Sequence, residues 1–171
     1  MGEEGTPPQA LVQRPSARVI LVDREDRVLL FRAVTPRPDG SEMARWVLPG
    51  GGVEEGESLI VAAARELHEE TGLLVAPARL RGPVARSRGA WRFQGVDYWS
   101  EVAFFFLRIA AWDLSPADLG PLEREQAANY RWWAIADVGS TRETVFPRGL
   151  APLVTRLVAG EFPVPPVDLP W

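Results

Sequence analysis

Before residue 50 the apolar positions fall into short continuous runs, and just after it they take up a helical rhythm. Val19, Ile20, Leu21 and Val22 form one run, Asp23 to Asp26 make a polar turn, and Val28 to Phe31 form a second run. Two such runs around a polar turn predict a hairpin of well-buried strands. Val34 to Ala44 contains Pro36, Pro38, Asp39 and Gly40, turn chemistry over a stretch too long for a tight hairpin, so it predicts an open loop of the kind that touches ligands. Trp46 to Pro49 reads as a brief strand. Gly50, Gly51 and Gly52 then lead through Gly56 into a helix over about Ser58 to Thr71, with Gly72 as its stop.

Further on, Arg79 to Phe93 and Tyr98 to Trp112 predict two longer strands, separated from a strand at Tyr130 to Ile135 by a loop holding Pro116, Gly120 and Pro121. Arg148 to Val158 predicts a last helix. Residues 1–16 hold three prolines and no periodicity, so they predict a flexible tail, with folding starting near Ala17. Residues 17–160 then form one domain, and residues 161–171, with four prolines, form an extended C-terminal tail lying along it.

Composition narrows the chemistry. At 171 residues, 46% hydrophobic and 25% charged, the chain matches an ordinary single globular domain. It has no cysteine, which removes disulfides, Cys-ligated zinc, iron–sulfur clusters and thiol nucleophiles together. Any metal must be held by oxygen or by the single His68. A formal charge of -4 argues against a nucleic-acid backbone as main partner, while a local arginine cluster still allows small anions. No apolar run is long enough to span a membrane, and the first residues lack a signal peptide's basic flank and apolar stretch. The expectation is a cytoplasmic protein.

The helix carries the candidate chemistry. At 100° per residue, Ile60, Ala63, Ala64, Leu67 and Thr71 share a side that can pack on a sheet, while Glu66, Glu69 and Glu70 fall together elsewhere within about 100° of arc. Taken alone, such a triple is most simply a solvated acidic face. The spacing nevertheless allows three carboxylates to converge on shared cations, and hard divalent ions such as Mg²⁺ take oxygen ligands. The glycine run just upstream lets backbone approach a metal or phosphate, so a carbonyl there, such as that of Gly50, can complete a coordination shell. Arg65 and Glu57 have the right signs to pair and brace the helix to its loop.

Gly51, five residues, Glu57, seven residues, then Arg65-Glu66-Leu67-His68-Glu69-Glu70-Thr71-Gly72-Leu73 resembles the Nudix box at every defining position. Seven fixed and two aliphatic positions arise by chance in a chain of this size with odds of roughly 10⁻⁸. The resemblance covers 23 residues, and the element pattern from Ala17 to Gly160 is similar to a whole Nudix domain. It implies an α/β/α sandwich with a mixed central sheet, and a metal-dependent hydrolase that cuts a diphosphate linkage by water attack. It also implies Glu66, Glu69 and Glu70 as principal ligands of Mg²⁺, with Mn²⁺ as substitute, Glu57 as a secondary ligand and Arg65 as an orienting partner.

The resemblance leaves the general base open between Glu69 and a loop carboxylate, for which Glu101, Glu123, Glu125 and Glu143 are candidates. Glu101 stands out as an acid at the mouth of a strongly apolar strand. Arg32 and Arg92 are candidate phosphate contacts, and Trp91, clustered with Phe93, Tyr98 and Trp99, is a candidate stacking surface for a nucleobase. Trp132 and Trp133 cannot both point inward on one strand, so the outward one is expected at a subunit interface, implying a homodimer. The expected substrate is a small nucleotide-type molecule: a nucleoside triphosphate, nucleotide sugar, ADP-ribose or dinucleoside polyphosphate. The competing functions are a non-catalytic nucleotide sensor, which need not keep the acidic set, and a prenyl diphosphate isomerase, which would be expected to carry a catalytic cysteine.

Overall fold

The structure is a computed structural model and describes residues 11–37, 39–93, 95–110 and 129–171. In chain order it contains β1 (Val12–Val22), β2 (Arg27–Pro36), β3 (Glu42–Val47), β4 (Gly50–Gly52), α1 (Leu59–Thr71), β5 (Arg81–Phe93), β6 (Val96–Arg108), β7 (Tyr130–Ala134), α2 (Ile135–Ser140), β8 (Val145–Phe146), α3 (Leu150–Val158) and β9 (Val167–Asp168). The strands form a mixed sheet in the order β8-β3-β2-β1-β6-β5-β9, with β4 added to β1 and β7 to β2. Its longest parallel pairing runs from Val12 opposite Tyr98 to Val22 opposite Arg108.

The continuous apolar runs of the central strands follow from cover on both faces. On one face Ala17, Val19 and Leu21 of β1 meet Ala103, Phe105 and Leu107 of β6 beneath Ala62, Ala63, Ala64 and Leu67 of α1. On the other, Ile20, Val22, Phe104 and Phe106 pack against Val138 of α2 and Leu150, Leu153, Val154 and Leu157 of α3. The result is the expected α/β/α sandwich with a mixed sheet. Helix α1 begins one residue after Ser58 and ends at Gly72, whose φ of 72° turns the chain while its N–H closes on the His68 carbonyl at 2.7 Å.

Several boundaries differ from the sequence expectation. β1 begins at Val12, five residues before Ala17, because parallel pairing with β6 extends beyond the apolar run. β1 and β2 join antiparallel at Val22 and Val28, but β1 finds its main neighbours in β6 and β4. The open loop expected at Val34 to Ala44 is instead a β2–β3 hairpin paired as far as Pro36 and Glu42. Proline at the end of a strand costs no ladder bond, and Asp39 stabilises the turn by accepting the Ser41 N–H at 2.9 Å and hydroxyl at 2.6 Å. Trp133 is buried in one core and Trp132, partly buried, packs against the other. Both tryptophans thus find apolar neighbours within the chain. Among the described residues no helix is long and apolar enough to cross a membrane.

Candidate active site

Strand β4 places the glycine run directly between β1 and α1. Gly50, Gly51 and Gly52 pair with Arg18, Ala17 and Ser16. Gly50 has φ 133°, and a β-carbon there would lie 2.3 Å from the Ala17 carbonyl oxygen and 2.6 Å from Arg18 Cα, so only glycine fits. A β-carbon on Gly51 would stand 2.7 Å from both carboxylate oxygens of Glu66. The glycines thus bring main chain against the acidic side of the helix.

Arg65 is the hub of that contact. Its Nε and Nη2 each donate to one oxygen of Glu57 at 3.0 Å, a bidentate pair, and Nη2 also donates to the Gly52 carbonyl at 2.9 Å. Its Nη1 reaches Glu66 at 3.0 Å and Glu69 at 3.1 Å. Hydrogen bonding to Arg65 lowers the pKa of Glu57, and the same bonds raise that of Arg65. The bracing of loop to helix expected from the signs of Arg65 and Glu57 is what the geometry gives.

Glu70 stands apart, accepting the Gly50 N–H at 2.8 Å. Burial pushes its carboxyl up to about 7, against the opposing pull of Arg18 and of the Gly50 N–H. Burial also raises Glu66, again opposed by Arg65. Glu69 is the exposed member, its side chain 49% accessible. The three carboxylates therefore do not converge on one point as the helical arc allowed. Glu66 and Glu69 turn to Arg65 while Glu70 turns to Gly50, and among the described residues no group of three acidic or histidine side chains encloses an ion position. The donor set is nevertheless all oxygen, carries excess negative charge, and faces backbone with no side chain at Gly51, which fits a hard divalent cation.

Beside the glycines lies a cavity of about 290 Å³, with Gly51 and Gly52 in its wall. Arg14, Arg18, Arg45 and Arg148 line it, and so do Trp91, Phe146 and Trp171. None of these four arginines is ion-paired among the described residues. Arg45 keeps a buried Nε without a hydrogen-bond partner, and burial lowers the pKa of Arg18, which donates to the Leu48 carbonyl at 2.5 Å. The recess thus brings four cationic side chains beside the carboxylate helix.

The sequence-derived candidates distribute unevenly about this centre. Trp91 lines the cavity, stacked on Tyr98 at 4.7 Å with its indole N–H donating to Ser100 at 2.8 Å. Arg32 is exposed on β2, and Arg92 sits at the β5–β6 tip, paired with Asp97 at 3.6 Å; neither is in the cavity wall. Glu101 lies between Ser100 and Val102, which line the cavity, so strand alternation turns it to the other face, where Arg88 pairs with it at 3.4 Å. Glu143 accepts the Trp46 indole N–H at 2.7 Å, and His68 is exposed. Glu123 and Glu125 lie outside the described residues. Sequence reasoning missed Arg14, Arg18, Arg45 and Arg148, whose meeting depends on pairing between distant strands; only the alternation of Arg14, Ser16 and Arg18 hinted at a shared face.

Comparison with known proteins supplies the family to which this fold belongs. Residues 12–155 match the family model described as the NUDIX domain. The RNA pyrophosphohydrolase of Sphingopyxis alaskensis is 32% identical over 147 residues, which cover 80% of this chain and 85% of that one. The RNA pyrophosphohydrolase of Novosphingobium aromaticivorans is 40% identical over 78 residues, 46% of this chain and 44% of that relative. Among solved structures, the dihydroneopterin triphosphate pyrophosphohydrolase of E. coli shares the fold with a TM-score of 0.57 at 18% identity, covering 88% of this chain and 99% of that one. The MutT protein of Methanosarcina mazei Go1 gives 0.54 at 20% identity, over 89% of this chain and 97% of that one. The chain belongs to the Nudix family and is a Nudix hydrolase acting on pyrophosphate bonds.

Proposed function

We propose that the chain hydrolyses the pyrophosphate linkage of a 5′-polyphosphorylated nucleotide in a reaction that needs a divalent cation, Mg²⁺ or Mn²⁺. The observation that carries this reading is the adjacency, across Gly51 and Gly52, of the Arg65-braced glutamates to an arginine-lined cavity. Glu66, Glu69 and Glu70, with Glu57 and the Gly50 carbonyl as further donors, would hold the cation. When bound, it supplies charge neutralisation at phosphate and a lowered pKa for water.

The remaining work belongs to the chain's own groups. The cavity arginines take the phosphate oxygens and fix the scissile linkage against β4, which is positioning rather than bond chemistry. Arg65 keeps the carboxylates at their stations. Glu69, half-accessible and one turn from Arg65, is the carboxylate placed to meet solvent and take the proton of the attacking water. Glu101, paired with Arg88 at 3.4 Å, is not assigned that role.

The substrate can be a free nucleotide or the first nucleotide of an RNA, since an RNA chain carries a pyrophosphate linkage only where its 5′ end is polyphosphorylated. The name of the Sphingopyxis relative favours the RNA end. A net charge of -4 does not oppose this, because the four cavity arginines supply a local cationic surface that overall charge conceals. The test is a screen with Mg²⁺ or Mn²⁺ of nucleoside triphosphates, nucleotide sugars, ADP-ribose, dinucleoside polyphosphates and a 5′-triphosphorylated RNA, reading released phosphate or pyrophosphate. Turnover of the RNA or of triphosphates supports the reading. Nucleotide binding with no turnover of any compound points to a sensor instead.

A further inference from the structure

The last eleven residues do more than cover the sheet. Phe162 packs edge-on against Phe106 at 5.5 Å beneath the Arg81 guanidinium, and Val167 and Leu169 join the α3-side core. β9 pairs parallel with β5 at Ala85 and Arg86, and the Leu169 N–H donates to the Arg86 carbonyl at 2.7 Å. Four prolines stiffen this strap. These anchors deliver Trp171 onto Gly89 of β5, where a β-carbon would stand 2.1 Å from Trp171 Cγ. Any other residue at position 89 would evict the indole.

Trp171 meets Phe146 edge to face at 5.2 Å, yet remains 39% exposed and lines the same cavity as Trp91 and the four arginines. Trp171 is thus a partly accessible aromatic in the wall of a cationic recess. Cations for a polyphosphate and an indole for a flat ring line one cavity, whose volume of about 290 Å³ is near the lower end of ligand pockets.

We propose that Trp171, carried by the C-terminal strap onto Gly89, is a substrate-contacting wall of the cavity that stacks on the nucleobase and makes the site prefer nucleotides over base-free polyphosphates. The inference rests on the nucleotide reading above but concerns a residue outside the Nudix box. Glycine at 89 keeps the indole seated, Phe146 holds its edge, and the arginines bind the phosphates regardless of the base.

The test is equilibrium calorimetry of ADP and of inorganic tripolyphosphate binding to the full chain without divalent metal, so that it does not depend on turnover. Trp171→Leu, which keeps apolar filling, and Gly89→Ala, which displaces the indole, are expected to weaken ADP binding about tenfold, within the range for losing a base–aromatic stack. Tripolyphosphate affinity is expected to stay as in the wild type, and Trp171→Phe to recover most of the ADP affinity. The proposal is overturned if ADP binding is unchanged in Trp171→Leu, if both ligands weaken together, or if the wild-type chain does not distinguish them. Because the hydrolase reading is judged by turnover, the two can fail separately.

Discussion

Adjacent glycines in β4 should respond to alanine in opposite ways. At Gly50 the backbone itself is the obstacle: φ is 133°, and the new methyl would meet the Ala17 carbonyl oxygen at 2.3 Å and Arg18 Cα at 2.6 Å. Neither can move without shifting β1, so strain and overlap together should cost at least about 3 kcal/mol. For a domain of this size that corresponds to a fall in melting temperature of about 6–12 °C. At Gly51 the methyl meets only the Glu66 carboxylate, at 2.7 Å, the far end of a flexible side chain that Arg65 holds at 3.0 Å. It can swing aside, so Gly51→Ala should cost less than about 1 kcal/mol, within the range of ordinary surface substitutions. The carboxylate then leaves its station, and a displacement near 1 Å at a reacting centre lowers turnover by about 10². Thermal melts paired with steady-state hydrolysis of a nucleoside triphosphate check both halves. Equal destabilisation by the two variants, or full activity in Gly51→Ala, would refute the reasoning.

Other expectations follow from the same contacts. Arg65→Lys keeps the charge but cannot reproduce the bidentate grip on Glu57 together with the bonds to Glu66, Glu69 and the Gly52 carbonyl, so kcat should fall at least tenfold in a protein that still folds; activity within twofold of wild type would count against the hub role. Arg45→Gln and Arg148→Gln should each raise KM for a nucleotide by roughly ten- to a hundredfold, the worth of a charged hydrogen bond, with a smaller change in kcat; unchanged KM in both would remove the substrate from the cavity. Glu70 has its pKa raised from 4.5 to about 7 by burial, so its contribution to the stability of the metal-free protein is fully present below about 4.5 and is lost as pH rises through about 7. Melts in a chelator between pH 5 and 8 should show falling stability that Glu70→Gln flattens; an identical slope in that variant would contradict the burial argument.

What the sequence disclosed and what it concealed divide along a physical line. The helix limits, Gly72 as its stop and the Arg65–Glu57 brace were readable because they depend on neighbours within about 15 residues. The sandwich followed from apolar runs that need cover on both faces. Hidden was β8, only two residues long and specified by β3, distant in sequence but alongside it; the C-terminal segment was expected to lie along the domain, but its docking on β5 was not readable. Trp132 and Trp133 point to opposite faces of β7, and each meets core residues because both faces of the sheet carry apolar packing. The same distance hid the arginine cavity, assembled from β1, β3 and the segment before α3, while Arg32 and Arg92 drew notice only as arginines near strand ends.

The central claim is that the α1 glutamates make this chain a cation-dependent pyrophosphohydrolase, and Glu70 tests it most directly. Hydrolysis of a 5′-triphosphorylated substrate should be followed with and without Mg²⁺ in the wild type, in Glu69→Gln and in Glu70→Gln, each checked for folding by its thermal melt. Turnover is expected only in the wild type and only with the ion, with both variants folded. Full Mg²⁺-dependent turnover in both folded variants would contradict it.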